Sequence, residues 1–194
     1  MTTNSSIGTL FVVVGPSGSG KDTVLNWLRR ELKAHPDILF ARRVVTRPTD
    51  ANFEDHDTMT KDAFIAAEQK GAFTVTWEAH DLYYGIPNTV HEHLAAGHTA
   101  IVNGSRRALN DFERCFEQLC IVSLKVDREI LAARLAGRNR QSDTNLASRL
   151  QQSALALRPT DNMITISNNG PVEEAGRAIL TLIQEAQSRN AHAK

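Results

Sequence analysis

Hydrophobic positions along this chain alternate between two rhythms. The run LFVVV (Leu10–Val14) is unbroken, apolar and rich in β-branched residues, the pattern of a strand covered on both faces of a parallel sheet. The stretch KDTVLNWLRRELKAH that follows it carries apolar residues at Val24, Leu25, Leu28 and Leu32, a helical period. The exchange recurs. Strand-like runs at 38–46, 73–77, 98–104, 120–126 and 163–167 are separated by helical patterns at about 60–70, 88–96, 105–118, 127–138, 143–157 and 171–188. Such alternation predicts an α/β three-layer domain. Two polar stretches, about 47–60 and 138–145, interrupt it. Ligands of parallel α/β sheets bind at the carboxyl ends of the strands, so these stretches are candidates for an acceptor-binding lobe and a lid. The residues from 188 onward are expected to fray.

Composition narrows the partners. The 194 residues are 41% hydrophobic and 23% charged, suited to one soluble domain with a buried core. Lys+Arg and Asp+Glu both number 22, so no global field attracts nucleic acid or an anionic membrane, and any anion must be held by a local cluster. The two cysteines, Cys115 and Cys120, read as buried small side chains in a reducing compartment. The first residues, MTTNSSIGTLFVVVG, lack a basic leader and a membrane-length apolar run, and the expected location is cytoplasmic.

Between the first strand and the first helix stands GPSGSGKDT: Gly15, Pro16, Ser17, Gly18, Ser19, Gly20, Lys21, Asp22 and Thr23. In this arrangement loop amides curl around phosphate oxygens, the helix adds its N-terminal dipole, and the lysine reaches the outer phosphates. ATP is the expected ligand, with Mg2+. The serine or threonine hydroxyl that usually meets magnesium is missing after the lysine, where Asp22 stands instead. A carboxylate in a helix's first turn is favoured by the macrodipole alone, yet a hard cation also prefers oxygen ligands. Asp22, or Thr23 one position on, is therefore the candidate magnesium ligand.

Taken in order, GPSGSGK, VTRP (45–48), YYG (83–85), RLAGR (134–138) and SRL (148–150) resemble the motifs of guanylate kinases over nearly the whole chain. The resemblance implies a P-loop NTPase fold with a five-stranded parallel core sheet. It also implies one domain over 1–194, with an acceptor lobe at about 38–90 and a lid at about 138–148. It assigns acceptor-phosphate contacts to Arg47 and to Tyr83 or Tyr84. Arg138 and Arg149 would neutralise the transferring phosphoryl group, with Lys21 as the third catalytic residue.

The departures from that family concern the acceptor. Arg43 replaces the serine that reads guanine, Asp50 replaces a second phosphate-binding arginine, and His56 stands for an acceptor-phosphate tyrosine. Val75 or Thr76 occupies the place of a base-reading glutamate, and Ile86 that of a hydroxyl residue. Asn103 and Ser105 stand where strand-end aspartates belong, with Arg106 beside them to contact sugar or phosphate. A site that hydrogen-bonds a base loses several orders of discrimination when its partners are gone; an arginine added there favours an anion. The combination of GKDT, VNGSR and LYYG is similar to a bacterial branch of the family that phosphorylates ribose 1,5-bisphosphate on its 1-phosphate. The expected substrate is accordingly a phosphorylated ribose. The competing readings are a guanylate or other nucleoside monophosphate kinase, and a binding module that has lost catalysis. His91 and His93 lie two residues apart on a predicted helix and point away from each other, so both are expected as solvated surface groups and not as a metal site.

Overall fold

The computed structural model describes residues 7–47, 56–79, 81–136 and 160–192. In it, β1 (Leu10–Val14) is the central strand of a five-stranded parallel sheet. The order is β2 (Ile38–Ala41), β7 (Thr99–Asn103), β1, β8 (Leu119–Lys125), β9 (Met163–Ser167). Successive residues of a strand face opposite sides, which divides LFVVV between two cores. Phe11 and Val13 pack with Val24, Leu25 and Leu28 of α1 (Lys21–Glu31) and with Ile179 and Ile183 of α6 (Val172–His192). Leu10, Val12 and Val14 pack with Val90 and Leu94 of α3 (Thr89–Ala95) and Phe112 of α4 (Leu109–Cys115). The unbroken apolar run is thus the price of two covers, and the three-layer expectation holds.

A second, four-stranded sheet, called the lobe sheet below, is built from residues 43–87, within the stretch expected as the acceptor lobe. Its order is β4 (His56–Thr58), β3 (Arg43–Val45), β6 (Leu82–Pro87), β5 (Phe73–Ala79). The β3–β4 pair is parallel and the other two are antiparallel. The run 38–46, expected as one strand, breaks at Arg42: its first half belongs to the core sheet and its second half to the lobe. Arg42 Nη2 donates to the His56 carbonyl at 3.0 Å and lies 3.1 Å from Asp57 Oδ1, which ties β4 to the break. On the outer face of the lobe, α2 (Lys61–Gln69) starts at Thr60, whose Oγ1 accepts from Ala63 N–H, a standard N-cap. It lays the fully buried Phe64 on Phe73, with ring centroids 4.5 Å apart. The inner face joins the domain, because Val75 and Ile86 belong to the same buried cluster as Leu10 and Phe112.

Other differences from the sequence expectations are local. The pattern at 105–118 is a 3₁₀ turn, Arg106–Ala108, followed by α4. The tail from 188 continues α6 as far as His192. The lid segment, with Arg138 and Arg149, lies outside the described residues. Neither histidine of the HEH triplet is a solvated group. His91 stacks on Phe116 at 4.6 Å and shares a 2.6 Å hydrogen bond with Thr74 Oγ1. His93 Nε2 lies 3.2 and 3.1 Å from the carbonyls of Asp37 and Thr99. Both imidazoles are packing groups with satisfied polar edges. Cys115, expected inside, is exposed, whereas Cys120 is partly buried. Among the described residues, no helix is long and apolar enough to cross a membrane.

Candidate active site

The loop after β1 turns into α1 through left-handed glycines, Gly18 at φ 83° and Gly20 at φ 84°. Gly20 is required twice over. Side-chain-bearing residues rarely take that φ, and a Cβ there would stand 2.6 Å from Asn168 Nδ2. Asn168 follows β9 and is buried; it donates Nδ2 to the Ser19 carbonyl at 2.7 Å and its backbone N–H to the Lys125 carbonyl at 2.8 Å. The last strand of the sheet thereby holds the first loop. Ser19 N–H closes the turn onto the Pro16 carbonyl at 3.1 Å, and Ser17 is exposed at the tip. Lys21 Nζ folds back on the carbonyls of Gly15 and Pro16 at 2.9 and 3.1 Å. Free amides of a first helical turn and the positive end of the helix dipole complete an anion cradle.

One side of this loop faces a cavity of about 380 Å³ lined by Gly18, Gly20, Thr23, Arg134, Asn168, Gly170 and Val172. That size suits a nucleotide. Arg134, on α5 (Arg128–Ala136), brings a buried Nη1 that has no hydrogen-bond partner among the described residues. Buried donors are normally satisfied, so this one has the character of a group shaped for a ligand. The cavity's rim is tied by Asn169, whose Oδ1 accepts from the N–H of Asp127 at 2.9 Å.

On the other side of α1 is a narrow cleft lined by Asp22, Asn26, Arg29, Phe40, Arg43 and Asn103, with Leu25, Ala41 and Ile101 as its apolar floor. Here Asp22 Oδ1 accepts from Asn103 Nδ2 at 2.7 Å. Asn103 Oδ1 is buried and, among the described residues, has no hydrogen-bond partner. A carboxylate and an amide oxygen side by side are hard donors of the kind magnesium takes. Thr23 lines the larger cavity and is exposed.

The acceptor residues read from the sequence divide between the two faces of the lobe sheet. Arg43 lies 5.5 Å from the centroid of Tyr84, and Tyr84 stacks on Trp77 at 5.2 Å. His56 is fully buried and pairs in register with Arg43. Tyr83 points the opposite way, under α2, with Phe64 at 5.8 Å and Lys61 Nζ at 4.8 Å from its ring. Arg47 is half-buried at the end of β3, its carbonyl held by Thr58 Oγ1 at 2.9 Å. Ser105 Oγ accepts from Arg107 N–H and caps the 3₁₀ turn; burial lowers the pKa of the neighbouring Arg106 from its ordinary value. Among the lining residues that the sequence reading did not assign to the site are Arg29, Arg134 and Asn168. Arg134 was visible inside RLAGR. Arg29 is one of a pair of ordinary helix arginines, and Asn168 sits in a plain turn, so neither carried a local signal.

Residues 10–159 match the AAA domain family. The chain is 41% identical to a ribose 1,5-bisphosphate phosphokinase PhnN from Agrobacterium fabrum, over 91% of this chain and 97% of that one. A protein of the same name from Rhizobium etli is 40% identical over 91% and 89% of the two chains. The chain belongs to the ribose 1,5-bisphosphate phosphokinase family. Members of this family are kinases, and the chain is an ATP-dependent phosphotransferase, which removes the reading as an inactive binding module. Its architecture is shared with a guanylate kinase from Anaplasma phagocytophilum. That structure superposes with a TM-score of 0.72 at 19% identity, covering 94% of this chain and 87% of the other. The likeness establishes the P-loop NTPase fold of the phosphokinase.

Proposed function

We propose that the chain transfers the γ-phosphoryl group of ATP to the 1-phosphate of ribose 1,5-bisphosphate, giving 5-phospho-α-D-ribose 1-diphosphate (PRPP) and ADP. The observation that carries this reading is the composition of the narrow cleft, where Arg43 stands on Tyr84 and Asn103 is engaged by Asp22. A purine-reading pocket needs carboxylates that accept from the base; this cleft presents guanidinium groups and suits an anionic acceptor. The names of the relatives point the same way.

A 1-phosphate oxygen of the acceptor attacks the γ-phosphorus, and the bond from that phosphorus to the β–γ bridging oxygen breaks, leaving ADP. A phosphate monoester has a second pKa near 6 and is largely ionised at neutral pH, so the reaction needs no general base. Catalysis is then positioning and charge neutralisation. Lys21 leaves the loop carbonyls for the β and γ phosphates, which the loop residues 15–23 cradle. Arg138 of the lid and Arg149 of the helix expected after it close over the transferring group. Arg47, Arg43 and Tyr84 grip the acceptor, with Tyr83, His56, Ser105 and Arg106 as supporting contacts. Asp22 and the Asn103 amide oxygen would hold Mg2+, with Thr23 as the alternative ligand; the ion, when bound, draws charge from the phosphate oxygens. The chain works as one domain over residues 1–194, with the acceptor lobe at about 38–90 and the lid at about 138–148. It serves phosphonate catabolism and the supply of PRPP for NAD synthesis in the cytoplasm.

A coupled assay with ATP, Mg2+ and either ribose 1,5-bisphosphate or GMP tests the reading. PRPP should form, and GMP should be phosphorylated negligibly. The reverse pattern replaces it with a nucleoside monophosphate kinase.

A further inference from the structure

We propose that Arg29, on the third turn of α1, is a specificity-determining residue that binds the acceptor's non-reacting phosphate together with Arg43. The inference rests on the proposed acceptor and adds to it a residue and a place for the second phosphate. Arg29 and Arg43 come from different elements, α1 and β3, and line one cleft. Each guanidinium rests on an aromatic ring of that region: Arg29 lies 5.2 Å from the centroid of Phe40, and Arg43 lies 5.5 Å from that of Tyr84. Arg29 Nη1 also donates to Asn26 Oδ1 at 3.0 Å, which fixes the side chain along the helix.

An arginine guanidinium presents its N–H donors in a planar fork that matches phosphate geometry. Two such groups on facing elements can meet different oxygens of one dianion. The same cleft holds the Asp22–Asn103 pair at its loop end, next to the transferring phosphoryl group. Arg29 lies two helical turns further along α1, since Asp22 and Arg29 are seven residues apart in sequence, roughly 10 Å of helix rise. That separation is on the scale of a ribose carrying a phosphate at each end. The reacting phosphate would lie at the loop end and the other one between Arg29 and Arg43. The cleft is about 10 Å³ as it stands, so it must widen to admit the acceptor.

The experiment uses the full chain and two variants. Arg29→Met keeps the apolar stem over Phe40 and removes the charge; Arg29→Lys keeps a charge and removes the fork. Steady-state turnover is measured with ATP and ribose 1,5-bisphosphate, and competitive inhibition with ribose 5-phosphate and with ribose 1-phosphate. For Arg29→Met the acceptor KM and the inhibition constant of ribose 5-phosphate should both rise roughly 10- to 100-fold. The ATP KM and the inhibition constant of ribose 1-phosphate should stay within about twofold, with Arg29→Lys intermediate. Equal weakening of both monophosphates, or an unchanged acceptor KM in a folded variant, overturns the role of Arg29 and leaves the acceptor assignment standing. Failure of the wild-type chain to turn over ribose 1,5-bisphosphate overturns both.

Discussion

On one side of α1, most of the groups proposed to grip phosphate come from one contiguous stretch, residues 15–23, and are backbone amides, with Arg134 added from α5. In the cleft proposed for the acceptor, the polar groups are side chains from α1, β3 and β7, and the Asp22–Asn103 bond joins residues 81 positions apart. Backbone amides are the same whatever the residue, so the first surface is altered only by changing the path of the chain. The second can be rewritten one side chain at a time. The resemblance to guanylate kinases places Arg43 and Asn103 where that family carries base-reading groups, which would be an example of such rewriting. The proposed nucleotide-binding and acceptor-binding groups thus lie on opposite sides of a single helix.

Separate substitutions test that division. Lys21→Ala should hit the nucleotide side hardest, lowering kcat about 10²- to 10³-fold, measured at saturating substrates. Arg43→Ser should leave the ATP KM unchanged and raise the acceptor KM roughly 10- to 100-fold; a matching rise in the ATP KM would erase the distinction between the two sides. Asp22→Asn should raise the magnesium concentration for half-maximal turnover roughly tenfold, and an unchanged titration would return Asp22 to a helix-dipole role. Asn168→Ala removes a buried donor and leaves the Ser19 carbonyl without it, at about 1–3 kcal/mol. The melting temperature should fall by about 2–4 °C per kcal/mol, accompanied by weaker ATP binding and an unaltered response to the acceptor. The smallest effect is expected at Cys120, whose thiol burial pushes up from 9.0 to about 11, with Arg189 acting weakly in the other direction. The folded protein holds that proton more tightly than the unfolded chain, so stability should decline as pH rises from 9 to about 11. Replacing Cys120 by Ala should flatten that part of a thermal-melt pH profile.

The central strands β1, β7 and β8 were legible because they are covered on both sides and so read as apolar runs. LFVVV and MITIS are bounded in the structure as they are in the sequence. The lobe was less legible. The three-residue β4 lies in polar sequence, and β6, LYYGIP, alternates too little to announce itself. Nothing in the run 38–46 marks Arg42 as the point where one sheet ends and another begins, since the break depends on the distant His56 and Asp57. In the site, the loop could be read because its spacing is local. Arg43 stood out only against a family pattern, and Arg29 and Asn168 not at all, because their partners are contributed by tertiary packing.

The bond from Asn168 to the Ser19 carbonyl spans 149 residues. A nascent chain leaving the ribosome therefore displays the whole glycine motif long before it owns the amide that shapes it. Fragments ending short of β9 should therefore carry the motif and bind ATP more weakly than the full chain, as expected for Asn168→Ala.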